Sequence, residues 1–295
     1  MKLGDRAIDR GGPCYIIAEL SCNHGGVYEY AVRLIHRAKA AGADAVKFQH
    51  YTPETMVGAA DTAPMTTGPW AGRTKRDLYA ASMMPWEWTG DLIAECRKVG
   101  LPWLSTPYDP TALAFLESYA PMAYKVASFE LTDVALLRLI AATGRPAILS
   151  TGMATLPEIA TAVATLRANP LALLHCVSAY PTPPEAANLP RMEMLARYFG
   201  LPVGFSDHTT GFGAACAAVT LGAAVLEKHI MLHDEMYLEP TADAAFSLNP
   251  RQFAHYVAAV REAEAAGRPA GHDVEAASHQ FRRASGGWRG SYAPS

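Results

Sequence analysis

Short apolar runs alternate along the chain with alanine-rich stretches whose apolar residues recur at three- and four-residue spacing. That alternation is the pattern of repeated strand–helix units rather than of two separate layers. Eight runs read as strands: Tyr15–Ala18, Ala45–Phe48, Trp103–Ser105, Ala123–Val126, Ala147–Leu149, Ala172–Cys176, Val203–Phe205 and Val225–Lys228. Helical patterns follow most of them. The first predicted helix, Tyr28–Ala41, places Ala31, Leu34, Ile35 and Ala38 on one face and stops at Gly42, so both of its ends are read from the sequence. The last, Pro250–Ala266, has Asn249 as N-cap, proline at N1, Phe253, Val257 and Val260 inward, and Gly267 at C′. Eight units predict an α/β fold, a TIM (β/α)8 barrel forming a single domain over residues 1–267. Two segments break the rhythm, Thr52–Arg76 and Asp234–Ala245, and loops of that length in a compact enzyme are expected to be binding lids or disordered. Residues 268–295 lack periodicity and are expected to form a poorly ordered tail.

A chain of 295 residues suits one such barrel, which needs about 250. Half of the residues are apolar and the formal net charge is -3, which argues against disorder and against the basic footprint of a nucleic-acid binder. The expected partner is a small molecule. Met1–Pro13 has no apolar signal core, and the longest apolar stretch, Gly211–Leu226, is shorter than a membrane span, so a soluble cytoplasmic protein is expected. The five cysteines, Cys14, Cys22, Cys96, Cys176 and Cys216, are scattered without a CxxC spacing, as expected of reduced core thiols.

In a barrel, chemistry collects where strands end and the following loops begin. Every predicted strand ends in polar residues there: Glu19; Lys47 with Gln49; Ser105 with Thr106; Lys125 with Ser128; Ser150 with Thr151; Cys176 with Ser178; Ser206, Asp207 and His208; Glu227, Lys228 and His229. Each has a structural explanation when taken singly, as a helix cap or a snorkelling lysine. Converging on one mouth, two lysines, several hydroxyls and two histidines would make a site for a small multiply charged anion and a divalent metal. His208 and His229 end neighbouring strands and could share one cation, with Asp207 or Glu227 behind them. His24, His50 and His175 also lie near strand ends, and spacing alone leaves them open as ligands.

The segments Ile16–Gly25, Tyr124–Glu130, Leu149–Met153, Leu174–Thr182, Gly204–Thr209 and Glu227–His229 resemble the successive motifs of the sialic acid synthase family, in that family's order, across residues 12–265. Phe48–Pro53, Gly68–Tyr79 and Met84–Trp88 resemble its pseudaminic acid branch. The resemblance implies condensation of phosphoenolpyruvate with an N-acetylated amino-sugar aldehyde and release of phosphate. It places Lys47, Thr106, Lys125, Ser128, Ser150, Ser178 and Ser206 on the phosphate and carboxylate of phosphoenolpyruvate. His208 and His229 fall on the family's metal ligands, for Mn²⁺ or Mg²⁺. Glu19, Gln49, Tyr180, Glu227 and Asp243 fall near the sugar or the reacting carbons, with Glu19 and Glu227 as the catalytic carboxylates. At Ser178 the chain departs from the asparagine typical of neuraminate synthases. The aromatic faces of Trp70, Tyr79 and Trp86 suit the methyl and acetamido groups of a 6-deoxy di-N-acetylated hexose.

Family members usually continue into a small C-terminal domain resembling antifreeze protein, which is swapped across a dimer and gives an arginine to the partner's site. The chain stops before such a domain; Arg282 and Arg283 are the nearby substitutes for that arginine, although solvated charges on a disordered tail are the simpler expectation for them. A homodimer is expected, with a separate polypeptide or the partner's tail as a cap. Two other functions compete: a metal-dependent barrel hydrolase or aldolase, and a catalytically degenerate sugar-binding or regulatory paralogue. The first does not require two lysines and a serine series; the second would be expected to have lost some of Glu19, the lysines and the histidines.

Overall fold

A computed structural model describes residues 1–58, 61–68, 70–232 and 240–267. The predicted tail, residue 233 and residues 234–239 of the second predicted loop lie outside the described residues. The chain opens with a short antiparallel pair, β1 (Lys2–Leu3) and β2 (Arg6–Ala7). Eight parallel strands then close into a barrel: β3 (Tyr15–Glu19), β4 (Ala45–His50), β5 (Trp103–Pro107), β6 (Tyr124–Val126), β7 (Ala147–Ser150), β8 (Leu171–His175), β9 (Val203–Asp207) and β10 (Val225–His229). Ten helices intervene or follow: α1 (Tyr28–Ala40), α2 (Pro53–Met56), α3 (Lys75–Ser82), α4 (Thr89–Lys98), α5 (Pro110–Glu117), α6 (Val134–Ala142), α7 (Leu156–Thr165), α8 (Pro190–Phe199), α9 (Gly213–Thr220) and α10 (Pro250–Ala266), counted among the described residues. No described helix is long and apolar enough to cross a membrane.

Side chains alternate along a strand, so each strand feeds two cores. Tyr15, Ile17, Ala45, Leu104, Ala123, Ile148, Leu174 and Val225 fill the barrel interior, and Leu3 and Ile8 of the N-terminal segment join them. The larger cluster, with Ile16, Val46, Phe48, Leu149, Leu173, Phe205 and Leu226, packs between strands and helices. Most of the predicted strands stop near the last apolar residue, but most of the ladders run further into the polar residues. β3 reaches Glu19, β4 His50, β5 Pro107, β9 Asp207 and β10 His229, because backbone pairing does not depend on side-chain polarity. β8 moves the other way and releases Cys176.

The helix α1 buries Ala31, Leu34, Ile35 and Ala38, as its periodicity predicts, and Gly42 beyond it takes the left-handed φ of +90°. It starts at Tyr28, as predicted, with Val27 before it and no side-chain cap. On α10, Asn249 and Gln252 form the capping box, but Gly267 has φ −79° and needs no glycine-specific conformation. The segment Thr52–Arg76 is not uniformly loop. It contains α2, capped by Thr52 and Thr55, and the start of α3, whose N-cap Thr74 accepts from the Asp77 amide.

Candidate active site

Period-two alternation carries the inward set of each strand from apolar residues at the bottom to polar ones at the C-terminal mouth. Ile17 gives way to Glu19, Ala45 to Lys47 and Gln49, Leu104 to Thr106, Ala123 to Lys125, Ile148 to Ser150, and Val225 to Glu227 and His229. The mouth opens into a cavity of about 440 Å³, within the range of small-molecule sites. Lys47, Gln49, Lys125, Ser128, Ser150, Tyr180, Ser206, Glu227 and Asp243 line it, with His208 and His229. Glu19, Thr106 and Ser178 are not in its lining: Glu19 and Thr106 lie fully buried behind it.

At the floor, four charges interlock. The Lys47 ammonium lies 2.9 Å from Glu19 Oε2 and 3.1 Å from Glu227 Oε1, and Lys125 stands 3.5 Å from that same Glu227 oxygen. Glu19 Oε1 also accepts from the Ser21 amide and the Gln49 amide group, and Ser206 donates to Glu227. Burial pushes the Lys47 ammonium down to about 7, against the pull of Glu227 and with the push of Lys125. Burial works to raise Glu227 too, but Lys125 and Lys47 outweigh it and hold that carboxyl well below the usual range. Glu227 is therefore a carboxylate.

Beside this cluster lies a group of hydroxyls without protein partners. Thr106 Oγ1, Ser150 Oγ and Ser178 Oγ are buried and make no hydrogen bond, an expensive arrangement unless something else satisfies them. Gly152 explains part of the shape: its amide donates to Ser128 Oγ at 3.1 Å, and a Cβ there would sit 2.6 Å from Ser178 Oγ and 2.8 Å from Ser128 Oγ. Any side chain would fill the cradle these hydroxyls form.

On the opposite side, His208 and His229 bring their rings to 5.7 Å between centroids. His208 Nδ1 meets the Val177 carbonyl at 3.1 Å, so that nitrogen carries the proton and Nε2 keeps its lone pair. Burial first, and then the neighbouring His229, lower His208 to about 3, which keeps it neutral. His229 Nδ1 faces Asp243 Oδ2 at 3.3 Å. Burial works against the charged form of Asp243, yet His229 and Ser21 hold it below its ordinary value. Among the described residues no group of three or more His, Cys, Asp and Glu side chains has metal-holding geometry. The two imidazoles, with the free Nε2 of His208 turned away from the Val177 carbonyl, nevertheless fit a divalent cation of the borderline class, with exogenous oxygens completing its shell.

The other histidines are engaged elsewhere. His50 lies between Ser105 and Thr89, at 2.7 and 2.9 Å, His175 Nε2 meets the Ala187 carbonyl, and His24 Nδ1 accepts from Gly26. Trp86 also departs from expectation: it donates to the Tyr51 carbonyl and packs on Phe115 at 4.8 Å, outside the cavity lining. Trp70 and Tyr79 do line it, with Tyr51 and Tyr108. The cysteines are free, but Cys22 and Cys176 line the cavity rather than the core alone. Glu130 was missed by the strand-end reading; it lines the cavity from the loop after β6, and burial, opposed by Lys125, raises its carboxyl to about 7.

The chain and its closed barrel have counterparts among known proteins. The chain matches the NeuB family over residues 34–270. It belongs to that family. Pseudaminic acid synthase of Campylobacter jejuni is 40% identical over 271 residues, covering 90% of this chain and 78% of the relative. N,N'-diacetyllegionaminic acid synthase of Legionella pneumophila is 34% identical over 266 residues, covering 85% and 72%. Among solved structures, the N-acetylneuraminic acid synthetase of Leptospira borgpetersenii, crystallised with citrate, superposes with a TM-score of 0.84 at 29% identity, covering 96% of this chain and 95% of that one. The similar proteins are named as synthases of several nonulosonic acids, and this NeuB-family barrel shares its fold with the Leptospira synthetase.

Proposed function

We propose that this NeuB-family protein condenses phosphoenolpyruvate with the open-chain aldehyde of an N-acetylated amino sugar, forming a pseudaminic-acid-type nonulosonic acid and releasing phosphate. The observation that carries the reading is the floor of the cavity, where Lys47 and Lys125 stand beside buried hydroxyls that have no protein partner. Such an array suits the phosphate and carboxylate of a compact anion. In this reading Lys47, Lys125, Ser128, Ser150 and Ser206 hold the anion from the cavity lining, Thr106 and Ser178 back them from outside that lining, and Gly152 leaves room for it.

A divalent metal, Mn²⁺ or Mg²⁺, would be held by His208 and His229 and would polarise the aldehyde oxygen when bound. The chain's own residues do the rest. The fixed lysines and hydroxyls aim the enol carbon at the aldehyde carbon, and positioning of this kind lowers a barrier by several kcal/mol. The new C–C bond leaves a cationic carbon bearing the phosphate; water adds there and the phosphate departs. Glu227, a carboxylate that lines the cavity, would orient that water, whose proton leaves with the departing phosphate, whereas Glu19 lies behind Lys47 and orients it together with Gln49. Tyr180 and Asp243 face the sugar side of the cavity with Trp70 and Tyr79.

The aromatic wall formed by Trp70, Tyr79, Tyr51 and Tyr108 favours a sugar with apolar groups, a 6-deoxy di-N-acetylated hexose, over N-acetylmannosamine. Turnover of a panel of acetamido hexoses with phosphoenolpyruvate and Mn²⁺ tests this. A diacetamido deoxyhexose is expected to give the highest kcat/KM. Equal or better turnover of N-acetylmannosamine would contradict the substrate assignment.

A further inference from the structure

Two buried charged residues lie between residues of the site in sequence yet stay out of the cavity. Lys228 separates Glu227 from His229, and Asp207 separates Ser206 from His208. Alternation along β10 and β9 turns both outward, into the layer between barrel and helices, where both are fully buried. The ladder places them side by side, Lys228 opposite Asp207.

What Lys228 touches is backbone. Its Nζ donates to the Asp207 carbonyl at 3.2 Å and to the Thr209 carbonyl, and lies 3.8 Å from Asp207 Oδ2. The same carboxylate, through Oδ1, accepts from the Thr209 amide at 2.9 Å and the Thr209 hydroxyl at 2.7 Å. Between the two pinned carbonyls stands His208, whose own carbonyl accepts from the Thr182 amide at 2.9 Å. Three consecutive carbonyls are therefore held, two of them by one ammonium. An ammonium withdrawn from water is a poor device for stability, since an apolar side chain of similar volume often does as well. Its distinct effect here is to fix the backbone at a strand end, where the register with β10 stops at Lys228 and Asp207.

We propose that Lys228 is a positioning residue: with Asp207 as its counter-ion, it clamps the turn after β9 and sets the direction in which His208 presents Nε2 to the cavity. The inference rests on the reading that His208 and His229 hold a divalent metal. Partners behind a metal ligand commonly change metal affinity by ten- to a hundredfold when removed.

The test compares Lys228→Met, which keeps the stem, the double variant Asp207→Asn/Lys228→Met, which removes both buried charges together, and His208→Ala. Mn²⁺ and phosphoenolpyruvate are titrated separately by calorimetry on metal-stripped protein, and the electron paramagnetic resonance spectrum of bound Mn²⁺ is recorded. Folding is checked by thermal melting. The expected result is folded Lys228 variants with unchanged phosphoenolpyruvate affinity, Mn²⁺ affinity weakened about tenfold or more, and an altered Mn²⁺ spectrum. Wild-type Mn²⁺ affinity and spectrum in either folded Lys228 variant, with metal lost in His208→Ala, would overturn the clamp and leave the metal reading intact. Undiminished Mn²⁺ affinity in His208→Ala would remove the metal reading and the clamp with it. Failure of both Lys228 variants to fold would assign Lys228 to barrel stability and also overturn the proposal.

Discussion

Lys47 shows how a single side chain in the floor sets the conditions for binding. Burial brings its ammonium to about 7 in the ligand-free protein, so its charge is present below that pH and lost above it. The second ionisation of a phosphate monoester lies near 6, so the ligand keeps its full charge as pH rises further. Phosphoenolpyruvate affinity, measured by calorimetry, is therefore expected to fall by more than about tenfold between pH 7 and pH 9. Lys47→Met should bind weakly at every pH and show a flat profile. A flat profile in the unaltered protein would contradict the assigned role. Most of this floor was legible in the sequence, because Glu19, Lys47, Lys125 and Glu227 are polar residues at the ends of apolar strands. Alternation also separates Thr106, facing in, from Ser105, which faces out to His50. Glu130 and Gly152 were not legible as site residues: both lie in loops, where no periodicity indicates which way a residue turns.

The elements around the mouth carry the sugar side. Trp70, in the loop between α2 and α3, donates its indole N–H to the Ala242 carbonyl at 3.1 Å, beyond β10, and sets its ring 6.0 Å from Tyr180, beyond β8. One side chain thus ties three βα loops across the opening. Losing an aromatic contact and a hydrogen bond of this kind costs about 1–2 kcal/mol. Trp70→Ala is expected to raise the sugar KM roughly tenfold, with phosphoenolpyruvate affinity unchanged. Trp70→Phe, which keeps a ring but loses the donor, should fall between. An unchanged sugar KM in Trp70→Ala would show that the tie does not shape the site. The sequence pointed to Trp70 and Tyr79 but also to Trp86, since an aromatic residue near a loop has no written direction; Trp86 turns to Phe115 instead. The helix α2 and the pair β1–β2 were missed because four and two residues are too few to show a period.

Across the whole molecule, eight repeats of a strand and a helical stretch were enough to predict closure of the barrel, because parallel strands with short connections and one apolar interior leave few other arrangements. The strand ends drifted from prediction where the chain becomes polar, and that drift marks the functional mouth. We propose that this mouth joins phosphoenolpyruvate to a sugar aldehyde. The most direct measurement is phosphate release from phosphoenolpyruvate, with and without a 6-deoxy di-N-acetylated hexose, in the presence of Mn²⁺, alongside mass-spectrometric quantitation of the nonulosonic acid. One phosphate per product formed, no release without the sugar, and loss of both signals in Lys125→Met are expected. Phosphate release that is independent of the sugar, or none with any aldehyde sugar in correctly folded protein, would contradict it.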